Sequence, residues 1–122
     1  MYNPEVIKEF QNPKNTGTIE NASGVGVSGN ESCGDIMKIS LKVEKDIIVD
    51  AKFQTYGCAA AIASSSVATQ LIIGKSVEEA LQITNKQVVE KLGGLPVQKL
   101  HCSVLAESAI SAAIEDYKNK QK

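Results

Sequence analysis

The chain has 122 residues, 43% of them hydrophobic and 22% charged, with a net charge of −1. That is one ordinary domain with enough apolar residues for a single core, and no apolar run approaches the roughly 20 residues of a membrane-spanning helix. All 13 basic residues are lysines scattered among acids, and without arginine to grip phosphates or base edges a nucleic-acid partner is not expected.

Met1-Tyr2-Asn3-Pro4-Glu5 carries neither the basic nor the apolar region of a secretory signal, so a cytoplasmic protein is expected. Residues 1–122 read as a single domain, with 1–3 and 118–122 as flexible tails. Asn3-Pro4 supplies an N-cap and a first helical position for a short helix from Glu5 to about Gln11, which Asn12-Pro13 ends. A polar loop runs to about Ser23. Gly24 to Ser32 is glycine-rich with weak alternation and predicts an edge strand. Met37, Ile39, Leu41 and Val43 alternate with Lys38, Ser40, Lys42 and Glu44, a strand with one wet face. Lys45-Asp46 makes a turn into a third strand, Ile47 to Tyr56, with Val49, Ala51 and Phe53 on one side. Connections this short demand an antiparallel meander.

From Ala59 the pattern becomes helical and alanine-rich to Ile73, with Gly74 as a stop. Ser76-Val77-Glu78-Glu79 and Thr84-Asn85-Lys86-Gln87 are capping boxes, each opening a short helix. A last helix runs from about Leu100 to Tyr117. Leu105, Ala106, Ala109 and Ala113 form its apolar face, flanked by Ile110 and Tyr117, with Ser103, Glu107, Ser111 and Glu115 opposite. Strands followed by helices predict an α+β fold: a three-stranded antiparallel β-meander covered on one face by helices, with a short N-terminal helix and a long C-terminal one.

Chemistry concentrates at three cysteines, Cys33, Cys58 and Cys102, with Asp35 two residues after the first and His101, the only histidine, beside the last. Their number is odd and their spacing fits no zinc knuckle, so a shared metal site has to be assembled by tertiary folding. Cys58 and Cys102 both fall at the first turn of a helix, where the dipole and orphan N–H groups favour thiolate over thiol. Gly34 and Gly57 allow close backbone approach beside Cys33 and Cys58. Three thiolates with an aspartate or a histidine select zinc, copper(I) or an iron–sulfur cluster. A harder fourth ligand suits a cargo that leaves.

Cys33-Gly34-Asp35-Ile36-Met37, then Tyr56-Gly57-Cys58 with Ala61-Ile62-Ala63-Ser64-Ser65-Ser66, then His101-Cys102-Ser103 continuing to Tyr117 resemble the IscU/NifU N-terminal family of iron–sulfur cluster scaffolds. The likeness spans nearly the whole chain, from Tyr2-Asn3-Pro4 to Ile114-Glu115-Asp116-Tyr117. The resemblance implies a scaffold or carrier rather than an enzyme. It would take sulfur as persulfide from a cysteine desulfurase, take iron, build a transient 2Fe–2S cluster and pass it to apo iron–sulfur proteins. It further implies Cys33, Cys58 and Cys102 as cluster ligands and Cys102 as persulfide acceptor. Asp35 would be a labile ligand and His101 an alternative ligand or proton partner. Zinc would sit on the same residues in the cluster-free form, and a homodimer or trimer is implied for the cluster-bound form.

One feature qualifies the resemblance. Leu95-Pro96-Val97-Gln98-Lys99 departs from the family's Leu-Pro-Pro-Val-Lys loop, which weakens the expectation of a dedicated chaperone. The alternative within the resemblance is a zinc-dependent sulfur-accepting transferase of the SufU type. Against it, the chain lacks an insertion before the third cysteine and keeps His101.

Overall fold

In the computed structural model, which describes residues 3–30, 35–95 and 97–120, Asn3 opens the first helix. Its side chain accepts the Val6 N–H at 3.1 Å, and Pro4 takes the first helical position of α1 (Pro4–Gln11). A missing proline N–H is harmless there, because the first-turn donors have no intrahelical partner.

Three strands follow: β1 (Gly24–Asn30), β2 (Asp35–Glu44) and β3 (Ile47–Tyr56), in the order β1-β2-β3 and antiparallel throughout, as expected. Glu31 and Ser32 of the predicted first strand lie outside the described residues. Lys45 and Asp46 both adopt positive φ, +53° and +63°, the backbone handedness that suits a tight hairpin on twisted strands. One expectation is corrected here. Val49 does not join Ala51 and Phe53 on the inner side. Lys42 pairs with Asp50 but Val43 pairs with Ile48, leaving Val49 unmatched in a bulge. The extra residue flips the alternation, so Ile48 turns into the core and Val49 is exposed.

The inner face of the sheet presents Met37, Ile39, Leu41, Ile48, Ala51 and Phe53, all buried. Two helices cover it, α2 (Ala59–Ile72) and α5 (Leu100–Lys120). β1 contributes almost no side-chain bulk at this face, and α5 rests on its backbone. A Cβ at Gly26 would run into the backbone of Ala113 and Ala109, and one at Gly24 into Ala113 and Tyr117. The contact is then tied by polar bonds. The Val25 N–H donates to Asp116 Oδ2 at 2.9 Å, and the Tyr117 hydroxyl donates to Asp46 Oδ1 at 2.7 Å.

Two short helices, α3 (Val77–Ala80) and α4 (Asn85–Lys91), lie between α2 and α5. The Ser76 box closes with both of its bonds, and at the second box the Thr84 N–H donates to Gln87 Oε1 at 2.8 Å. Glu107 of α5 accepts the Asn85 N–H, which fixes α4 against the long helix. The last helix differs from expectation in two ways. It runs on to Lys120, and Ser103 is fully buried rather than part of the wet stripe. Its hydroxyl donates to the Leu100 carbonyl at 2.7 Å, which satisfies it inside the fold.

The serines of α2 have a use that an alanine-rich pattern hides. Ser66 Oγ accepts the Lys14 N–H and donates to Glu9, while Thr69 Oγ1 accepts from Asn15. These bonds hold the polar loop after α1 along the outer edge of β3. There the Phe53 N–H donates to the Asn15 carbonyl and the Gly17 N–H to the Phe53 carbonyl. An open strand edge is thereby covered. Among the described residues no helix is long and apolar enough to cross a membrane.

Candidate metal centre

Sheet register creates the site. Ile36 pairs with Tyr56, so Asp35, the first residue of β2, comes to lie beside the stretch that leaves β3. That stretch is Gly57 and then Cys58, the N-cap of α2. Asp35 Oδ1 accepts the Cys58 N–H at 3.3 Å. A Cβ on Gly57 would strike Asp35 Oδ1, so only glycine lets the carboxylate reach the helix start.

The third segment comes from α5. Cys102 Sγ lies 3.6 Å from Cys58 Sγ and 3.6 Å from His101 Nε2, and His101 Nε2 lies 3.0 Å from Asp35 Oδ2. Ligand atoms of Asp35, Cys58 and Cys102 all fall within 4.8 Å of one another, the spread of a single coordination sphere. Ala60, Ala61 and Leu95 pack around Cys102. The result has a buried floor and an accessible rim. Cys102 is fully buried and the Asp35 side chain is only 10% exposed, whereas the His101 side chain is 49% exposed and Cys58 is half-buried.

Four of the five residues singled out in the sequence therefore stand together; the fifth, Cys33, lies outside the described residues. Asp35 and His101, alternatives for one ligand role in the sequence, are in fact hydrogen-bonded partners. Nothing in their linear separation signals that contact. The partnership leaves Asp35 with one oxygen on a backbone N–H and the other on an imidazole, a carboxylate held in place from both sides.

The expectation of a thiolate at Cys102 is corrected. Its thiol is pushed up to about 12, first by burial, then by the neighbouring Cys58 and by the Asp35 carboxylate, with Lys99 pulling weakly the other way. The helix-start effect is too small and too distant to compete. A 3-10 turn at Val97–Lys99 runs directly into α5, so helical backbone begins well before Cys102. The dipole contributes about 0.3–1 kcal/mol and fades beyond the first turn.

A pH dependence follows. Cys102 enters any complex only by giving up its proton. With a thiol at about 12, the apparent zinc affinity of the metal-free protein should rise about tenfold per pH unit between pH 6 and 8 from this residue alone. Competition titration with a chromophoric chelator across that range measures the slope. A flat profile would show that Cys102 stays out of the complex. The sign for folding is opposite. A thiol pKa raised in the folded state stabilises the metal-free fold below the ordinary cysteine value, and that contribution fades as pH climbs toward the folded value.

The model of the NifU-like N terminal domain family matches residues 1–122 of the chain. The Archaeoglobus fulgidus protein named iron-sulfur cluster assembly scaffold protein IscU 1 is 58% identical over 120 residues, which cover 98% of this chain and 78% of that protein. The iron-sulfur cluster assembly scaffold protein IscU of Haemophilus influenzae is 51% identical over 124 residues, covering 98% of each chain. Among solved structures, a Fervidobacterium islandicum protein assigned as an iron–sulfur cluster assembly scaffold for the SUF system superposes with a TM-score of 0.78. It is 27% identical, with 93% of this chain and 96% of that one covered.

Proposed function

Since the chain belongs to the NifU-like N-terminal domain family, we propose that it is an iron–sulfur cluster assembly scaffold, building a cluster at the Asp35–Cys58–His101–Cys102 centre and handing it on. The observation that carries this reading is the convergence of two thiols and a carboxylate within 4.8 Å, where the sheet meets the starts of two helices. The scaffold names of relatives at 58% and 51% identity support it.

The donor set explains both halves of the task. Thiolates bind iron and accept sulfur, and they are the usual ligands of a 2Fe–2S cluster. Cys58 and Cys102 take that role, with Cys33, two residues before Asp35 in the chain, as the third thiolate. Cys102 is the persulfide acceptor in this reading. Asp35 or its partner His101 completes the set as the harder, more easily displaced ligand. Metal chemistry belongs to the cargo; the chain supplies donors and exclusion of water from the floor. Zinc suits the same sulfur, oxygen and nitrogen atoms when no cluster is held. The proposed partners are a cysteine desulfurase as sulfur donor and apo iron–sulfur proteins as recipients.

Anaerobic incubation with a cysteine desulfurase, L-cysteine, ferrous iron and dithiothreitol as reductant tests the function. The visible absorption of a 2Fe–2S chromophore is the expected result, followed by its transfer to an apo-ferredoxin. Sulfur uptake with zinc retained and no chromophore would instead identify a zinc-dependent sulfur acceptor of the SufU type.

Asp35→Ala should lengthen the life of the bound cluster several-fold. The variant removes the ligand most easily displaced and leaves the thiolates. Decay of the visible absorption under a fixed chelator concentration reports it, and faster decay in the variant would refute the labile-ligand role.

A further inference from the structure

Cys58 and Cys102 are free thiols whose sulfur atoms lie 3.6 Å apart. That is van der Waals contact for sulfur and close to the separation of reacting atoms in a near-attack arrangement. Shared ligation of a metal uses the two thiols side by side. It does not use the reaction open to them when one carries an extra sulfur atom. Resting on the reading above, in which this site accepts persulfide sulfur, we infer that the Cys58–Cys102 pair reduces that sulfur to sulfide by itself, with no outside reductant in the first turnover.

The step balances. The Cys58 sulfur attacks Sγ of the Cys102 persulfide. A Cys58–Cys102 disulfide bond forms, the persulfide S–S bond breaks, and the outer sulfur leaves as HS⁻, taking up the proton that Cys58 gives away. Each cysteine sulfur supplies one electron, and the outer, zero-valent sulfur becomes sulfide. In total, Cys102–S–SH and Cys58–SH become a Cys58–Cys102 disulfide and H₂S. A persulfide starting on Cys58 reaches the same products by attack of Cys102.

Geometry favours this route over its competitors. Cys102 is fully buried behind Ala60, Ala61 and Leu95, so sulfur from outside reaches it by way of the half-buried Cys58, and a thiol from solution has poor access to its Sγ, while Cys58 is already in contact. Attack on the outer sulfur only passes it between the two cysteines, and that exchange is reversible. Release of sulfide draws it forward. The product also imposes an order on assembly, because the disulfide removes two cluster ligands while providing the cluster's sulfide. A dithiol must reopen the bridge before both cysteines can bind iron.

The test uses the full chain, metal-free and reduced, loaded anaerobically by a cysteine desulfurase with L-cysteine. It is then separated from both in thiol-free buffer containing a chelator. Sulfide is measured over time, and disulfides are located by peptide mass mapping. Sulfide release matched by a mapped Cys58–Cys102 bridge, reopened by dithiothreitol, is expected. In Cys58→Ser the persulfide should persist, with sulfide release slower by on the order of a hundredfold, because attack must then come from solution. Serine is a good N-cap, so the start of α2 is preserved. Cys102→Ser, loaded on Cys58, should retain its persulfide in the same way and serves if the first variant misfolds. Equal release from native protein and variants, a bridge mapped to Cys33, or a stable persulfide in the native chain would each overturn the inference. A native chain that takes up sulfur but releases sulfide only when a reductant is added overturns it while leaving the scaffold reading intact. A native chain that takes up no sulfur at all overturns the scaffold reading, and the inference with it.

Discussion

Replacing Cys102 with serine should abolish stable cluster formation while the chain stays folded. Cys102 is the floor of the site, in contact with the Cys58 sulfur and the His101 imidazole and walled by Ala60 and Ala61. Serine keeps the approximate shape but offers a hydroxyl that is a poor ligand for iron. It also puts a more polar group at a fully buried position, at a cost of about 1–3 kcal/mol if the hydroxyl finds no partner. That is a large part of the roughly 5–15 kcal/mol that holds a domain of this size together, yet short of unfolding it. Chromophore yield after anaerobic reconstitution should fall to background at an unchanged circular dichroism spectrum. A normal yield would remove Cys102 from the ligand set.

The largest expected effect on stability comes from Gly26→Ala, at about 3 kcal/mol. The added Cβ lands on the Ala113 nitrogen and the Ala109 oxygen, which belong to the backbone of α5 and cannot swing aside. The helix has to lift off β1, stretching the bonds from Val25 to Asp116 and from Tyr117 to Asp46. Overpacking usually costs about 1–3 kcal/mol, and a clash with backbone belongs at the upper end. Gly74→Ala is the informative control. Nothing lies within 4 Å of its new Cβ, so only the strain of φ +91° remains, about 1–2 kcal/mol. Urea unfolding of both variants measures the difference. Because α5 also carries His101 and Cys102, Gly26→Ala should weaken zinc binding as well, although it lies far along β1 from Asp35. A Gly26→Ala protein as stable as the native one would mean that α5 is not seated on the β1 backbone.

The elements were readable because their signals are local. Alternation over Met37–Val43, the Asn3-Pro4 start and the Ser76 box each involve residues a few positions apart, and they appear as expected except that Ser40, read as part of the wet face of β2, is buried. Expectations failed where a distant contact decided the outcome. Val49 turned outward because a bulge entered the pairing with β2. Ser103 is buried by the fold around α5, which its own helix periodicity does not announce, and its hydroxyl is satisfied three residues back on the Leu100 carbonyl. The Cys102 thiol rose instead of falling because burial, with Cys58 and Asp35 beside it, outweighs the small effect of the helix start.

The chain by itself determined the class of fold, the order of its elements and which residues have metal and sulfur chemistry. Those depend on side-chain type and short-range periodicity. Tertiary structure alone decided that Asp35 would be gripped by the Cys58 N–H and His101, and that two thiols would touch. It also decided that one of them would be sealed at the floor while its neighbour reaches solvent. Distances between residues far apart in sequence follow from strand register, from how closely the α5 backbone packs at Gly26 and from how closely the Asp35 side chain approaches Gly57. All are set by the whole core at once rather than by any one segment.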